Sequence, residues 1–384
     1  MDSLTGAPSR RVLLLTASLG SGGLERQLTL LATHLPACWR PMVLSLGGGP
    51  FEEVLRRSGV AVRIYRRRAR LDPLPFVRLA RFIIATRPDV VHVWHWLPAT
   101  AAAPVCRISG VPLVDGTIRL GRPYRKSGSP GHIVMSLADV VVANSHAGLQ
   151  WSRVAATKGR VVYNAFDPAR LEALRGLPRP KSHRPDDDVR PFTVIMTGRL
   201  HAHKDHGTLL AAARLLASRS APSTWRFVLV GDGPKRHEVE AEAADLVAQG
   251  VVEFANPGLE VLPLLATADV GVLMTNDAVH AEGCSNSIME YMASGLPVVC
   301  CDSGGNKELV ADDVTGCVVP PGDAAALAHR LELLRADPDG RERMGAAGEA
   351  RLLRDFSLAR MVDGYVGIYD DCVRPVHDSS AETP

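Results

Sequence analysis

Aromatic residues make up only 5% of this 384-residue chain, which leaves few platforms on which single-stranded bases could stack. A net charge of +3 at pH 7 supplies no field that would hold a nucleic acid. There is no Cys-x-x-Cys pair, and the seven cysteines are odd in number and scattered without metal spacing. That excludes a disulfide framework and suits a reducing compartment. The vicinal pair Cys300-Cys301 sits in an apolar run and reads as buried. No uninterrupted apolar stretch approaches a membrane span, and the run starting at Val12 is too short for a secretory signal. These absences predict a cytoplasmic chain. The composition that remains, 46% hydrophobic and 22% charged, is ordinary and long enough for two domains with full cores.

Strand-like runs alternate with amphipathic helical stretches from end to end. "RVLLLT" (11–16), "PMVLSL" (41–46), "DVVHVW" (89–94), "VPLVDG" (111–116) and "DVVVAN" (139–144) belong to a first series. "FTVIMTG" (192–198), "WRFVLVGDG" (225–233), "DVGVLM" (269–274) and "LPVVCCD" (296–302) belong to a second. Such alternation predicts parallel sheets with helices on both faces. Between the series lies "LPRPKSHRPDDDVRP", rich in proline and charge, which reads as a linker. The expected organisation is a first domain over 1–178, a linker over 179–190 and a second domain over 191–356. A helical segment over 357–372 packs back on the first domain, and a disordered tail runs over 373–384. Two such halves imply a cleft lined by strand tips, where ligands of open α/β sheets sit.

"EGCSNSIME" (282–290) carries the sharpest signal. Eight residues of helix would separate the carboxylates of Glu282 and Glu290 by about 12 Å on nearly the same side. That spacing suits gripping two ends of one extended ligand better than direct acid–base pairing. Gly283, Ser285, Asn286 and Ser287 between them are residues that a helix start prefers, and a helix start attracts phosphate. "TGRLHAHKD" (197–205) leaves a strand tip with Arg199 and Lys204, two cations suited to a diphosphate. In "LGSGGLERQ" (19–27) the glycines allow close backbone approach, but no Gly-Lys-Ser/Thr ends the stretch as in a Walker loop. "VLVGDGPKR" (228–236) lacks the third glycine of a dinucleotide fingerprint.

The glutamate–seven residues–glutamate pattern followed by "YMASGLPVVCCDSGGNKELV" closely resembles the retaining glycosyltransferases of family 4. "GSGGLERQ", "ADVVVANS" (138–145), "VVYNAFD" (161–167), "GRL…KD" (198–205) and "VGDGP" (230–234) extend the likeness over nearly the whole chain in the right order. The resemblance implies an α/β fold of the GT-B type, two Rossmann-like doubly wound domains facing across a cleft. It implies a nucleotide-sugar donor, a UDP-sugar first and a GDP-sugar second, with no further cofactor and no metal. Arg199 and Lys204 would hold the diphosphate, Glu290 the ribose hydroxyls and Glu282 those of the transferred sugar. Gly198, Gly283, Cys284, Ser285, Asn286 and Ser287 would lie against sugar and phosphates, and Gly22 and Gly23 would approach from the other domain. Arg199, Lys204 and Glu282 are thus the expected catalytic groups.

Many relatives place a histidine after the strand corresponding to "VPLVDGTIRLG" (111–121), where this chain offers Asp115, Thr117 and Arg119. Asp115, Arg119 and His95 are therefore the candidates for acceptor contact or acid–base work, while His92 reads as structural. In the family the acceptor attacks from the face that the nucleotide leaves, and the leaving phosphate takes the proton. The acceptor would be a hydroxyl of a sugar, glycolipid or polyprenyl-linked glycan. Competing readings are a non-catalytic sugar-nucleotide binder, which donor hydrolysis would separate, and a nicotinamide or flavin enzyme, which leaves the glutamate pair unexplained. Ten arginines between Arg56 and Arg87 face a single acid, Asp72. Within that span Phe76, Leu79, Phe82 and Ile83 recur at helical spacing. Either this helix packs on a sheet, or it rests peripherally on the anionic inner leaflet of the plasma membrane.

Overall fold

A computed structural model describes residues 9–69, 72–119, 129–178, 190–255 and 261–374. The expected linker falls outside them except for Arg190, as does the tail from residue 375 onward. The first sheet contains β1 (Arg10–Thr16), β2 (Trp39–Ser45), β3 (Ala61–Ile64), β4 (Val90–Val93), β5 (Leu113–Ile118), β6 (Val140–Ala143) and β7 (Gly159–Val161). The second contains β8 (Phe192–Thr197), β9 (Trp225–Val230), β10 (Val252–Ala255), β11 (Val270–Leu273), β12 (Val298–Cys301) and β13 (Gly316–Val319). The orders are β3-β2-β1-β4-β5-β6-β7 and β10-β9-β8-β11-β12-β13, with the named strands paired in parallel throughout. Each sheet therefore reverses strand order beside its first strand, the doubly wound pattern. Val12–Leu15 and Val298–Cys301 are wholly buried, as expected of strands covered on both faces. Cys300 and Cys301 are among them.

Helices α1 (Gly23–His34), α2 (Phe51–Arg57), α3 (Leu74–Thr86), α4 (Trp96–Ser109), α5 (Pro130–Leu137), α6 (His146–Ser152) and α7 (Pro168–Arg175) alternate with or follow the strands of the first series. The second series carries α8 (His206–Arg219), α9 (Arg236–Glu242), α10 (Ala244–Ala248), α11 (Val261–Thr267), α12 (Asn286–Ala293), α13 (Asn306–Leu309), α14 (Ala324–Ala336) and α15 (Pro338–Asp355), before α16 (Leu358–Val373). In α16, Met361, Val362, Tyr365, Ile368 and Tyr369 form one apolar face that joins the core of the first sheet. Arg10 pairs with Asp370 at 2.7 Å, and Tyr369 bonds His92 at 2.7 Å. The helix takes in Val373, a residue that sequence placed in the tail.

Packing also puts α7 where sequence did not. Leu171 and Leu174, one helical turn apart, enter the core of the second half together with Phe166. The chain thus crosses between the halves near Phe166, ahead of the proline-rich stretch, and returns near Phe356. The two crossings touch: the Phe166 amide donates to the Phe356 carbonyl at 3.2 Å.

In α3, Pro75, Leu79, Phe82 and Ile83 face the core, and Arg63 and Arg67 lie over Phe82 and Phe76 at 5.1 and 5.7 Å. Of the two readings of this stripe, sheet packing is the one its buried residues follow. The outward side instead exposes Leu74, Val77 and Ile84 beside Arg78 and Arg81.

Candidate active site

Helix α12 starts at Asn286, with Ser285 at its N-cap in extended backbone and making no side-chain cap. Glu282 is therefore not in the helix, as uniform helical spacing would have it, but in the loop ahead of it. Gly283 there lies so close to Asn144 and the Arg119 carbonyl that any side chain would collide with both. Opposite, the loop after β8 is tied to the loop after β11. Asn276 donates to the His203 carbonyl at 2.8 Å, and Asp205 to that of Met274 at 3.0 Å. This places Lys204 in an ion pair with Glu282, the two side chains only 8% and 12% exposed.

Burial, the largest single influence, works to raise the Glu282 carboxyl, but the charge and hydrogen bond of Lys204 together with His203 and His280 outweigh it, and the group lies below its ordinary value. The neighbouring His203 is lowered to about 4, first by burial and then by Lys204. His201 bonds His203 at 2.9 Å. Gly198 has φ 145°, and Arg199 beyond it is exposed at the strand tip. Ser287 donates to the Thr197 carbonyl at 2.9 Å, fixing the first turn of α12 over that tip. The thiol of Cys284 is buried and pushed up to about 12 by burial, while its carbonyl accepts from Asn164 at 2.8 Å.

Glu290 faces a narrow crevice lined by Arg26, Gln27, Asp167, Arg170 and Asn286. Its Oε1 accepts from Arg26 at 3.2 Å and from Arg170 at 2.8 Å. Sequence gave no sign of either arginine, because each meets Glu290 only through the fold. Gly22 is the N-cap of α1, and Gly23 abuts the Asn286 amide, so the glycines do approach the second half.

The remaining candidates separate. Asp115 is fully buried within β5, where its Oδ1 accepts the Thr117 amide at 3.0 Å and burial raises it to about 6. It does not reach an acceptor. Arg119 lies 4.1 Å over Trp94 and bonds the Gly116 carbonyl, Asn164 and Tyr365, which makes it a strut beneath the cleft. His92 is buried among Trp94, Tyr365 and Tyr369. His95 caps α4 by accepting the Leu97 amide at 3.2 Å. Its ring stacks on Trp96, which is 48% exposed. The tip of β4, which Trp96 follows, lies between those of β1 and β5, both of which meet the second half. Sequence singled out His95 here and not Trp96, because exposure is visible only in the fold.

Two doubly wound sheets with a phosphate-facing helix start, a buried lysine and two carboxylates along one cleft define a GT-B glycosyltransferase. The model described as glycosyl transferases group 1 matches residues 191–337, and that described as glycosyltransferase family 4 matches 21–170. The lipopolysaccharide core biosynthesis glycosyltransferase LpsE of Rhizobium meliloti is 31% identical over 77% of this chain and 79% of its own. The D-inositol 3-phosphate glycosyltransferase of Thermobifida fusca is 29% identical over 74% of this chain and 70% of its own. The crystal structure of Anabaena Alr3699/HepE in complex with UDP-glucose has a TM-score of 0.77 at 21% identity, covering 94% of this chain and 99% of that one. The chain belongs to glycosyltransferase family 4, the group 1 glycosyltransferases. It is a retaining enzyme that uses a nucleotide-sugar donor.

Proposed function

We propose that the donor is a UDP-sugar and the acceptor a sugar hydroxyl on a glycolipid or polysaccharide precursor. The Anabaena neighbour holds UDP-glucose, and LpsE is named for lipopolysaccharide core synthesis. The observation that carries the site assignment is the buried Lys204–Glu282 pair, with Glu290 one turn into α12. Lys204 and the exposed Arg199 meet the diphosphate, whose negative charge the first turn of α12 also favours. Glu290 accepts hydrogen bonds from the ribose hydroxyls in place of its arginine partners, and Glu282 accepts from hydroxyls of the transferred sugar. Stabilising the departing diphosphate is then the main catalytic work, and the leaving phosphate takes the acceptor's proton. The burial of Asp115 supports a route without that carboxylate as base. Trp96 offers an apolar face against which the acceptor's ring can pack. Outward-facing Leu74, Val77 and Ile84 with Arg78 and Arg81 support peripheral contact with an anionic membrane. Among the described residues no helix is long and apolar enough to cross one.

A panel of UDP- and GDP-sugars tests the reading by thermal shift and by slow donor hydrolysis. One UDP-sugar should both stabilise the chain and be hydrolysed, and NMR of the transfer product should show the donor's anomeric configuration retained. Stabilisation by GDP-sugars alone would overturn the choice of base. Binding without any hydrolysis or transfer would leave a sensor.

A further inference from the structure

Glu308 belongs to the second half, in α13, yet its carboxylate is spent on the first half and the crossing. Oε2 accepts from the His146 amide and the Tyr163 hydroxyl, each at 2.8 Å, and Oε1 accepts from the Ala147 amide at 2.8 Å. His146 and Ala147 open α6, whose next amide, Gly148, goes to Ser145 Oγ at 3.0 Å. A residue 162 positions away thus completes the cap of that helix. Tyr163 stands on the outgoing crossing, and its ring meets Phe356 on the return crossing at 5.3 Å. Burial, then the Glu308 carboxylate, hold its phenol well above its ordinary value, so it remains a donor. One carboxylate therefore ties together α6 and the outgoing crossing, and through the Tyr163 ring reaches the return crossing.

The other end of the same segment is fixed to the donor site. The Gly305 amide donates to the Glu282 carbonyl at 2.9 Å, and Asn306 donates to the Cys301 carbonyl at 3.1 Å. Arg351 holds the Glu308 carbonyl at 2.9 Å. The residue that meets the donor sugar and the residue that grips the opposite half are thus joined by a short, fixed stretch of backbone.

We propose that Glu308 is a positioning residue: it sets the closed relation of the two halves and so aligns the acceptor with the donor sugar held at Glu282. It touches no donor group. Without it the donor still binds, because Lys204, Glu282 and Glu290 keep their places. What is lost is the register of the first half, and a misplacement of about 1 Å costs on the order of a hundredfold in rate. The turnover arm of the test rests on the glycosyl-transfer reading; the shape arm does not.

The test uses the full chain with Glu308→Gln and Tyr163→Phe. Titration calorimetry with UDP should give dissociation constants within about twofold of wild type, since only partners outside the nucleotide site change. Transfer or hydrolysis of the UDP-sugar found above should fall roughly tenfold to a hundredfold in E308Q, and less in Y163F, which removes one of the three bonds. Small-angle scattering with UDP bound should show a larger radius of gyration in E308Q than in wild type. Wild-type turnover and wild-type dimensions in E308Q would overturn the proposal, and so would a loss of UDP affinity as large as the loss of turnover. If E308Q loses its circular-dichroism signal, Y163F decides instead, and wild-type behaviour there counts against the idea. A wild-type enzyme inactive on every donor would defeat the transfer reading, and the scattering comparison would still decide the role of Glu308.

Discussion

Arg26 reaches Glu290 at 3.2 Å from a helix of the opposite half, so the carboxylate proposed to meet the ribose is bonded across the cleft. Arg170 takes the same oxygen at 2.8 Å from a helix that packs with the second half. On the proposed reading, ribose hydroxyls would compete with two guanidinium groups for Glu290. The two guanidinium groups aim that carboxylate into the crevice between the halves.

Removing Glu290 has a double effect. Glu290→Ala loses charge-assisted bonds worth about 1.5–3 kcal/mol, so UDP should bind roughly tenfold to a hundredfold more weakly. It also leaves Arg26 and Arg170 facing each other uncompensated, so the melting temperature should fall as well. Lys204→Ala should weaken UDP to a similar degree and abolish most transfer. Calorimetry and a melting curve check both; wild-type affinity in both variants would remove them from the nucleotide site.

Trp96→Ala should act on the acceptor alone. Loss of stacking worth ~1 kcal/mol would raise the acceptor KM about fivefold, while UDP affinity and donor hydrolysis stay at wild type. Trp96→Phe should recover most of the loss. A weakened UDP complex in W96A would place the ring in the donor site.

Stability should decline as the pH falls from about 6.5 to about 4. His206 is buried and lowered to about 4, by burial and then by Lys204, and His203 is lowered to about 4 in the same order of causes. His92 is lowered well below its ordinary value by burial. An unfolded chain takes up protons on these rings near pH 6.5 that the folded chain refuses until about 4, so protonation favours unfolding across that window. Each ring contributes a slope of up to about 1.4 kcal/mol per pH unit, discounted for the half-buried His203. Asp115, raised to about 6 by burial, and Asp277, also raised by burial, work in the opposite sense, two carboxyls against four imidazoles, since burial lowers His95 too. Urea midpoints at pH 7 and pH 5 should show the decline, and His206→Gln should flatten it.

Sedimentation with liposomes tests the membrane contact. Binding should require anionic lipid, weaken with salt, and fall when Arg66, Arg67 and Arg68 become glutamine, at about 1 kcal/mol for each charge near the surface. Leu74, Val77 and Ile84 changed to serine should lower it further. A chain that stays in the supernatant with anionic vesicles at low salt has a different acceptor surface.

The alternation of apolar runs made the two sheets legible, because parallel strands buried on both faces leave a continuous hydrophobic trace. Glu282 and Glu290 were legible because a local spacing encodes them. Arg26 and Glu308 were not: their partners lie 264 and 162 positions away, and no periodicity marks such pairs. Asp115 misled because sequence reports a carboxylate near a strand tip, whereas β5 is covered on both faces there and Leu113 to Gly116 are all buried. The start of α12 between the glutamates was legible from its helix-start residues, but the contact of Glu282 with Lys204 was not, because Gly283 and its close neighbours govern the path there.

Helix α16 gives the chain an unusual order of completion. Tyr369 fills the space between Trp39, at 5.3 Å, and His92, and its helix covers one face of the first sheet. Yet roughly 190 residues lie between Phe166 and Leu358. At about 5–20 residues per second, a ribosome delivers the cover about 10–40 s after the sheet that needs it. The second half has all its strands, and helices α7 to α15, before Leu358 emerges. The half made first is therefore finished last, its apolar face waiting through the synthesis of its neighbour.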